Sequence, residues 1–261
     1  MKMDNSLPEQ WQQLLSIDDT LFESAEQVLF ASDYVNQWGQ RSPDRAEALI
    51  SSGDLQQVYD EQGFQTRLAA MLLDVSDEAA LHQQLRQFRQ REMVRIIWRD
   101  LAGWADLAET VRELSAMADA CIEQALAMLH DWQRQDLGSA LNAEGEEQQL
   151  LVIGMGKLGA GELNLSSDID LIFAYSEHGE TQGGRKTLSN EEYFTRLGRK
   201  LIQALDNVTA DGFVFRVDMR LRPFGDSGAL VASFDSLENY YQTQGREWER
   251  YAMFKARIVT G

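Results

Sequence analysis

At 261 residues, 44% hydrophobic and 25% charged, the chain suits one large soluble domain or two ordinary ones and is too apolar to be disordered. A formal net charge of −18 argues against a nucleic-acid backbone as main partner, no apolar run spans a bilayer, and the polar start Met1-Lys2-Met3-Asp4-Asn5 lacks a signal-peptide core. The lone cysteine, Cys121, leaves no disulfide framework and no thiolate metal site, so the chain reads as cytoplasmic, with no membrane partner.

The charge is uneven: residues 1–150 hold 11 Lys/Arg against 27 Asp/Glu, residues 151–261 hold 13 against 15. The acidic first part reads as helix after helix. Apolar residues recur at helical spacing from Glu23 to Val35, and Ser42-Pro43 opens a short helix as N-cap and first turn. Gly53 and Gly63 punctuate the next pair. Asp77 to Trp104 is the longest expected helix, with Leu81, Leu85, Phe88, Met93, Ile96, Ile97 and Leu101 on one stripe. Arg86, Arg89, Arg91, Arg95 and Arg99 decorate the remainder, as a solvated, salt-bridged face or as cations turned toward a site or partner. A second long helix is expected from Leu107 to Leu137, with Cys121, like Trp98 and Trp104, in the core.

Asn142 to Gln149 reads as a linker, after which the pattern changes. Leu150 to Ile153 is a first strand, followed by the turn Gly154-Met155-Gly156-Lys157-Leu158-Gly159-Ala160-Gly161. Ile169 to Tyr175 is a second strand, and Ser189-Asn190-Glu191-Glu192 is a capping box opening a helix to Leu205. Phe213 to Leu221 is a third strand, ended by Pro223 and Gly225, and Leu230 to Ala232 a fourth. Ser233 and Asp235 start a helix through Tyr241, and a last helix is expected over Arg246 to Ile258. Arg246, Arg250, Lys255 and Arg257 recur along it, facing the site or solvent. The expected fold class is α+β: a helical domain over 1–145, then a domain over 146–261 with a small mixed sheet flanked by helices.

Strand geometry carries the chemical argument. Side chains alternate faces along a strand. In Asp168-Ile169-Asp170-Leu171-Ile172-Phe173 the two carboxylates therefore share one face, and Ile169, Leu171 and Phe173 the other. Like charges entering a core need compensation, which a hard divalent cation supplies. In Arg216-Val217-Asp218-Met219-Arg220-Leu221-Arg222 the same alternation puts Arg216, Asp218, Arg220 and Arg222 together. Should the two strands be neighbours, three carboxylates and several guanidinium groups meet on one face. That composition suits phosphoryl chemistry with Mg²⁺, two ions being expected and Mn²⁺ the alternative. Gly154, Gly156 and Lys157 would bring backbone N–H groups and a charge to a phosphate, and Ser166 and Ser167 would add hydrogen bonds. A lone Asp-x-Asp or Gly-x-Gly-Lys is unspecific; the ordered conjunction is not. His82, His130 and His178 form no cluster and receive no role.

That order resembles the polymerase-β-like nucleotidyltransferase superfamily, with Gly156-Lys157 in place of its Gly-Ser turn and Lys157 as the substitute for the serine. A closer resemblance is to the glutamine synthetase adenylyltransferase/adenylyl-removing enzymes. It is carried by Gly154 to Gly159, Glu162-Leu163-Asn164, Ser166 to Phe173, Arg216 to Gly225 and Gly245 to Met253, and by Arg91-Glu92-Met93 and Trp98 to Leu101. Ser166 to Asp170 and Thr181-Gln182-Gly183-Gly184-Arg185 are similar to the adenylyl-removing half of those two-part enzymes. The resemblance implies phosphorolysis of adenylylated tyrosine on glutamine synthetase, releasing ADP, with phosphate and an adenine nucleotide as small partners. It also implies the PII signalling protein as a partner of the longer parent. Asp168, Asp170 and Asp218 would hold metal, and Arg220 and Arg222 would steady the transferred group, a structural salt bridge being the other reading for Arg222. Two alternatives stay open: adenylylation from ATP, or a docking fragment for glutamine synthetase or PII without turnover. The ending at Gly261, soon after an expected helix, implies that helices completing this half are missing.

Overall fold

The computed structural model describes residues 19–60 and 62–260 together with Trp11 and Leu15; the polar start at Met1–Asn5 and the final Gly261 lie outside the described residues. Helices α1 (Asp19–Ala31) and α2 (Asp33–Arg41) divide the single helix expected around Glu23–Val35. Ser32 between them is extended, and its Oγ accepts from the Val35 N–H at 3.3 Å, ending one helix by capping the next. Helix α3 (Pro43–Ser51) starts where Ser42-Pro43 put it, and α4 (Gly63–Leu72) follows. The long pair α5 (Glu78–Leu101) and α6 (Leu107–Leu137) are begun by Asp77 and Asp106, whose carboxylates accept from Ala80 and Glu109 N–H groups at 2.8 and 2.7 Å. Trp98 and Cys121 are fully buried, and Trp104 packs partly buried against the same core.

The arginine row of α5 departs from expectation. Arg86, Arg95 and Arg99 are buried, not solvated. Arg95 pairs with Glu113 of α6 at 2.8 Å and donates to the Asp54 carbonyl at 2.9 Å, while Arg99 pairs with Glu109 at 2.6 Å. These partners come from α6 and from the loop after α3, so a helical wheel of α5 alone could not contain them. Buried carbonyls require donors, and long guanidinium forks reach them. Arg67 and Arg95 also lie over the Tyr59 ring, 3.7 and 3.5 Å from its centroid.

The sheet is built on β3 (Ile169–Tyr175). On one side β2 (Leu151–Gly154) runs antiparallel to it, Gly154 opposite Leu171 and Leu151 opposite Ala174. Its other side is shared by two short parallel strands. β5 (Val217–Asp218) pairs with the start of β3, and β6 (Val231–Ser233) with its end. Outside β2 lies β7 (Arg257–Thr260), antiparallel. A separate ribbon joins β1 (Gly138–Leu141), directly after α6, to β4 (Glu180–Gly183). Part of the presumed linker is thus ordered: the Asn142 N–H donates to the Glu146 carbonyl at 2.9 Å, and the Gln148 carboxamide oxygen accepts from the Glu177 N–H at 3.1 Å. The one-turn helix α7 (Gly156–Gly159) joins β2 to β3.

Helix α8 (Asn190–Asp206) is capped by Ser189, whose Oγ accepts from the Glu192 N–H at 3.1 Å; the Glu192 carboxylate takes Arg196 at 2.7 Å. It lies against the long helices, with Gln133 of α6 donating to the Tyr193 carbonyl at 2.9 Å and Lys200 pairing with Glu78 of α5 at 2.7 Å. Helix α9 (Phe234–Thr243) follows β6. The helix expected over Arg246–Ile258 is only α10 (Glu247–Ala252); a 3-10 turn over Met253–Lys255 leads straight into β7. The β-branched run Ile258-Val259-Thr260 favours the strand, and β2 offers the free edge it needs. Arg257 stands on that strand, bonded to Asp119 of α6 at 2.9 Å and to the Leu158 carbonyl at 3.1 Å. The whole is α+β, as expected, and among the described residues no helix is long and apolar enough to cross a membrane.

Asp54 yields a pH prediction. Burial works against its charge, but hydrogen bonds from Arg67 and Arg91 outweigh this and hold the carboxyl down from 3.8 to about 2. A depressed carboxyl contributes stability above its unfolded value and loses it as pH falls through the folded one. Asp54→Asn should therefore lower Tm near neutral pH. The gap to the parent should close between about pH 4 and about pH 2 in thermal melts across that range.

Candidate active site

The start of β3 is where the sheet opens to solvent. Ile169, Leu171 and Phe173 are buried as expected, and so are Ile172 and Ala174, which share the Asp170 face by alternation. Asp170 alone on that face is half-exposed. The register brings Asp170 directly opposite Asp218 across the parallel β3–β5 pair. Asp168, one step before the strand, is exposed and held by Arg216, whose Nε donates to its carboxylate at 2.5 Å and whose Nη2 donates to the Ser166 carbonyl at 2.8 Å. The three carboxylates expected on one face are thus neighbours. Arg216, which the sequence placed on the face without assigning a role, stands among them.

The third strand is shorter than its pattern. The segment before it closes helix α8 instead, Val214 and Phe215 N–H groups donating to the Leu205 carbonyl at 2.9 and 3.1 Å. The strand stops at Asp218 because that side chain turns on its own backbone, accepting from the Arg220 N–H at 2.8 Å. This Asx turn competes with the ladder. Arg220 also grips the Asp218 carboxylate through Nε at 2.8 Å and Nη2 at 2.5 Å. The expected shared face therefore does not extend to Arg222. That side chain folds back on the Met219 carbonyl at 2.8 Å and approaches Asp226 at 3.6 Å, the structural role weighed for it.

Electrostatics single out Asp170. Burial raises its carboxyl above the ordinary range, and the charges of Asp218 and Asp168 push the same way. Asp218 is held low, first by the hydrogen bond from Arg220. Arginines thus neutralise the outer two carboxylates, and among the described residues no side chain hydrogen-bonds that of Asp170. Nor do three His, Cys, Asp or Glu groups among the described residues converge closely enough to form a ready metal cage. The donor chemistry still fits a hard cation that takes one or two carboxylates and fills its other positions with phosphate and water. The Arg216–Asp168 pair is exposed, and such pairs are weak enough to part for a ligand.

The glycine turn is tied to this site sterically. Gly156 has φ +55°, and a Cβ there would stand 2.9 Å from Asp170 Oδ2. Lys157 is exposed, its Nζ donating to Ser167 Oγ at 3.4 Å. Ser166 is exposed and contributes its carbonyl to Arg216. Gly154 belongs to β2 and packs on Leu158 and Val259; Gly159 passes so close to the Lys255 carbonyl that a Cβ would overlap it at 1.7 Å. His178 lies between Tyr175 Oη and Ser233 Oγ, a structural position.

A family model for glutamate-ammonia ligase adenylyltransferase matches residues 22–261. The chain belongs to that family. Bifunctional glutamine synthetase adenylyltransferase/adenylyl-removing enzymes are similar to it: that of Nitrosococcus oceani is 60% identical over 232 residues, that of Pseudomonas aeruginosa 55% over 240 and that of Vibrio parahaemolyticus 49% over 250. These matches cover 88%, 92% and 94% of this chain but 24%, 24% and 26% of the relatives, so the chain spans about a quarter of their length. In this adenylyltransferase-family chain the motif residues Ser166 to Asp170 and Arg216 to Arg220 meet at one sheet edge.

Charge crowding at that edge costs stability. Asp170→Asn removes the repulsion and forfeits no hydrogen bond, so it should raise Tm by a few degrees in EDTA at neutral pH. A lower Tm would contradict the crowding read from the structure. Gly156→Ala should cost about 1 kcal/mol or more in urea unfolding, from the positive φ and the contact with Asp170.

Proposed function

We propose that this chain is the adenylyl-removing part of such an enzyme, taking AMP off an adenylylated tyrosine of glutamine synthetase by phosphorolysis and releasing ADP. Residues 146–261 would form the nucleotidyltransferase unit and residues 1–145 its helical support. The observation that carries the reading is the register of Asp170 against Asp218, with Asp168 and the guanidinium groups of Arg216 and Arg220 beside them. Carboxylates crowded at a solvent-open strand end, ringed by arginines, suit the handling of phosphate groups through a divalent ion.

Asp168, Asp170 and Asp218 are the residues that would hold Mg²⁺, whose chemistry when bound is Lewis-acid neutralisation of phosphoryl charge. Arg220 and Arg216 would bind orthophosphate and the AMP phosphate as their carboxylate contacts loosen. Lys157 and Ser167, already in contact, would add a point charge and a hydroxyl to the same phosphates. An oxygen of orthophosphate forms the new bond to the α-phosphorus while the bond to the tyrosine oxygen breaks, giving ADP and the free phenolic side chain. Preorganised guanidinium donors favour this transition state because its charge is spread over the phosphoryl oxygens. Arg222, bonded to Met219 and near Asp226, would support the Met219–Arg222 turn rather than touch substrate. The PII signalling protein would act on the longer parent, a reading that rests on the motif resemblance alone.

The test is ADP release from adenylylated glutamine synthetase with phosphate and Mg²⁺, for this chain and for Asp170→Asn and Asp218→Asn. The parent should form ADP and each variant should fall below about 1% of its rate. Full activity in both variants would sink the site assignment. AMP incorporation from ATP without ADP release would reverse the direction.

A further inference from the structure

We propose that Arg86, on helix α5 of the helical part, is a positioning residue that sets where Asp218 stands against Asp170. Calling Asp218 catalytic rests on the function proposed above; the mechanical link does not. Strand β5 is two residues long and pairs with β3 only at Ile169↔Val217 and Asp170↔Asp218. The Ile169 N–H adds a bond to the Arg216 carbonyl at 2.9 Å. So short a ladder does not hold its own register. Something else must place the chain that leads into it.

That chain is held by α5. Arg86 is fully buried, and among the described residues no carboxylate hydrogen-bonds it, the charge of Asp211 acting on it only through space. Its guanidinium is spent on carbonyls: Nη1 donates to Ala204 at 3.1 Å and to His82 of its own helix at 2.7 Å, Nε to Gly212 at 2.9 Å, and Nη2 to Asn207. One turn later Gln90 donates to the Asp211 carbonyl at 2.7 Å. Ala204 and Asn207 are at the C-terminal end of α8, where unpaired carbonyls and the helix dipole favour a cation. The held segment then connects directly to the site. Leu205 accepts from Val214 and Phe215, and Asp206 Oδ1 accepts from the Val217 N–H at 3.2 Å, one residue before Asp218. Each joint from α5 to Asp218 is thus a hydrogen bond or a covalent step. A buried cation whose compensation is a set of carbonyls is costly to leave half-made, so the geometry of the turn is strongly enforced. Lysine can supply a charge there but not the planar fork that reaches three separate carbonyls.

The experiment is amide hydrogen exchange on the 261-residue chain, comparing the parent with Arg86→Gln, Arg86→Lys and a control, Arg99→Gln. Arg99 is buried on the same helix, but its partners Glu109 and Leu55 lie away from β5. Arg86→Gln should speed exchange at Ile169 and Val217 at least about tenfold more than at the β2–β3 ladder, the effect of losing one or two hydrogen bonds. Arg86→Lys should fall between, and Arg99→Gln should show no such selectivity. Uniform acceleration in Arg86→Gln, or the same selective pattern in Arg99→Gln, would overturn the proposal. Should Arg86→Gln fail to fold, Gln90→Ala is read in the same way with the same two outcomes. Mn²⁺ binding, followed by water-proton relaxation, tests the underlying site separately. It should weaken in Arg86→Gln as in Asp218→Asn, and a parent that binds no Mn²⁺ would refute the metal site while exchange still judges the clamp.

Discussion

Two carboxylates standing side by side in the register of a parallel strand pair are the constraint around which the rest of this protein is arranged. Asp170 and Asp218 repel, and burial of Asp170 sharpens the repulsion. Nothing in a two-residue ladder would keep them together. The neighbours of the pair are accordingly of two kinds. Arg216 holds Asp168 by an exposed ion pair that can part at small cost, Arg220 reaches the half-buried Asp218 from solvent, and the backbone beneath is fixed by bonds that cannot part. Such a division suits a site that must exchange ligands without losing its shape.

The helical part supplies much of that fixity, through polar contacts as well as apolar ones. Buried arginines on α5 reach outward in two directions. Arg95 and Arg99 bind the loop after α3 and the carboxylates of α6; Arg86 binds the turn after α8. Irregular backbone is expensive to bury because its carbonyls lack partners. Guanidinium groups on a rigid helix satisfy several at once. The loops that flank the site can therefore pack against a core without becoming helix or strand.

Much of this architecture was legible in the residues. The long helices follow from their apolar stripes, and α6 has the bounds its pattern indicated. The strand at Ile169–Tyr175 was legible from its apolar run, and the nearness of Asp168, Asp170 and Asp218 from alternation plus the assumption that two strands are neighbours. Three readings failed, the first through a local side-chain turn and the other two for reasons outside local pattern. Arg222 left the expected face because the Asp218 side chain ends the strand early. The end of the last helix became a strand because β2 had an unpaired edge. Arg86, Arg95 and Arg99 are buried where a solvated face was one of two readings, because most of their partners lie outside α5. A signal for Arg216 did exist: it shares the alternation of Asp218, and a cation beside an acidic strand end has somewhere to go.

What the sequence determined by itself is what depends on neighbours within a turn or a strand: the type of most helices and strands, caps, and which face of β3 carries charge. Motif order sufficed for the family, because it encodes a chemistry as much as a shape. Tertiary structure alone decided the strand partners and the fate of the buried arginines. Those outcomes depend on which carbonyls and edges remain unsatisfied once distant segments meet, and a hydrogen bond across a hundred residues leaves no period in the sequence.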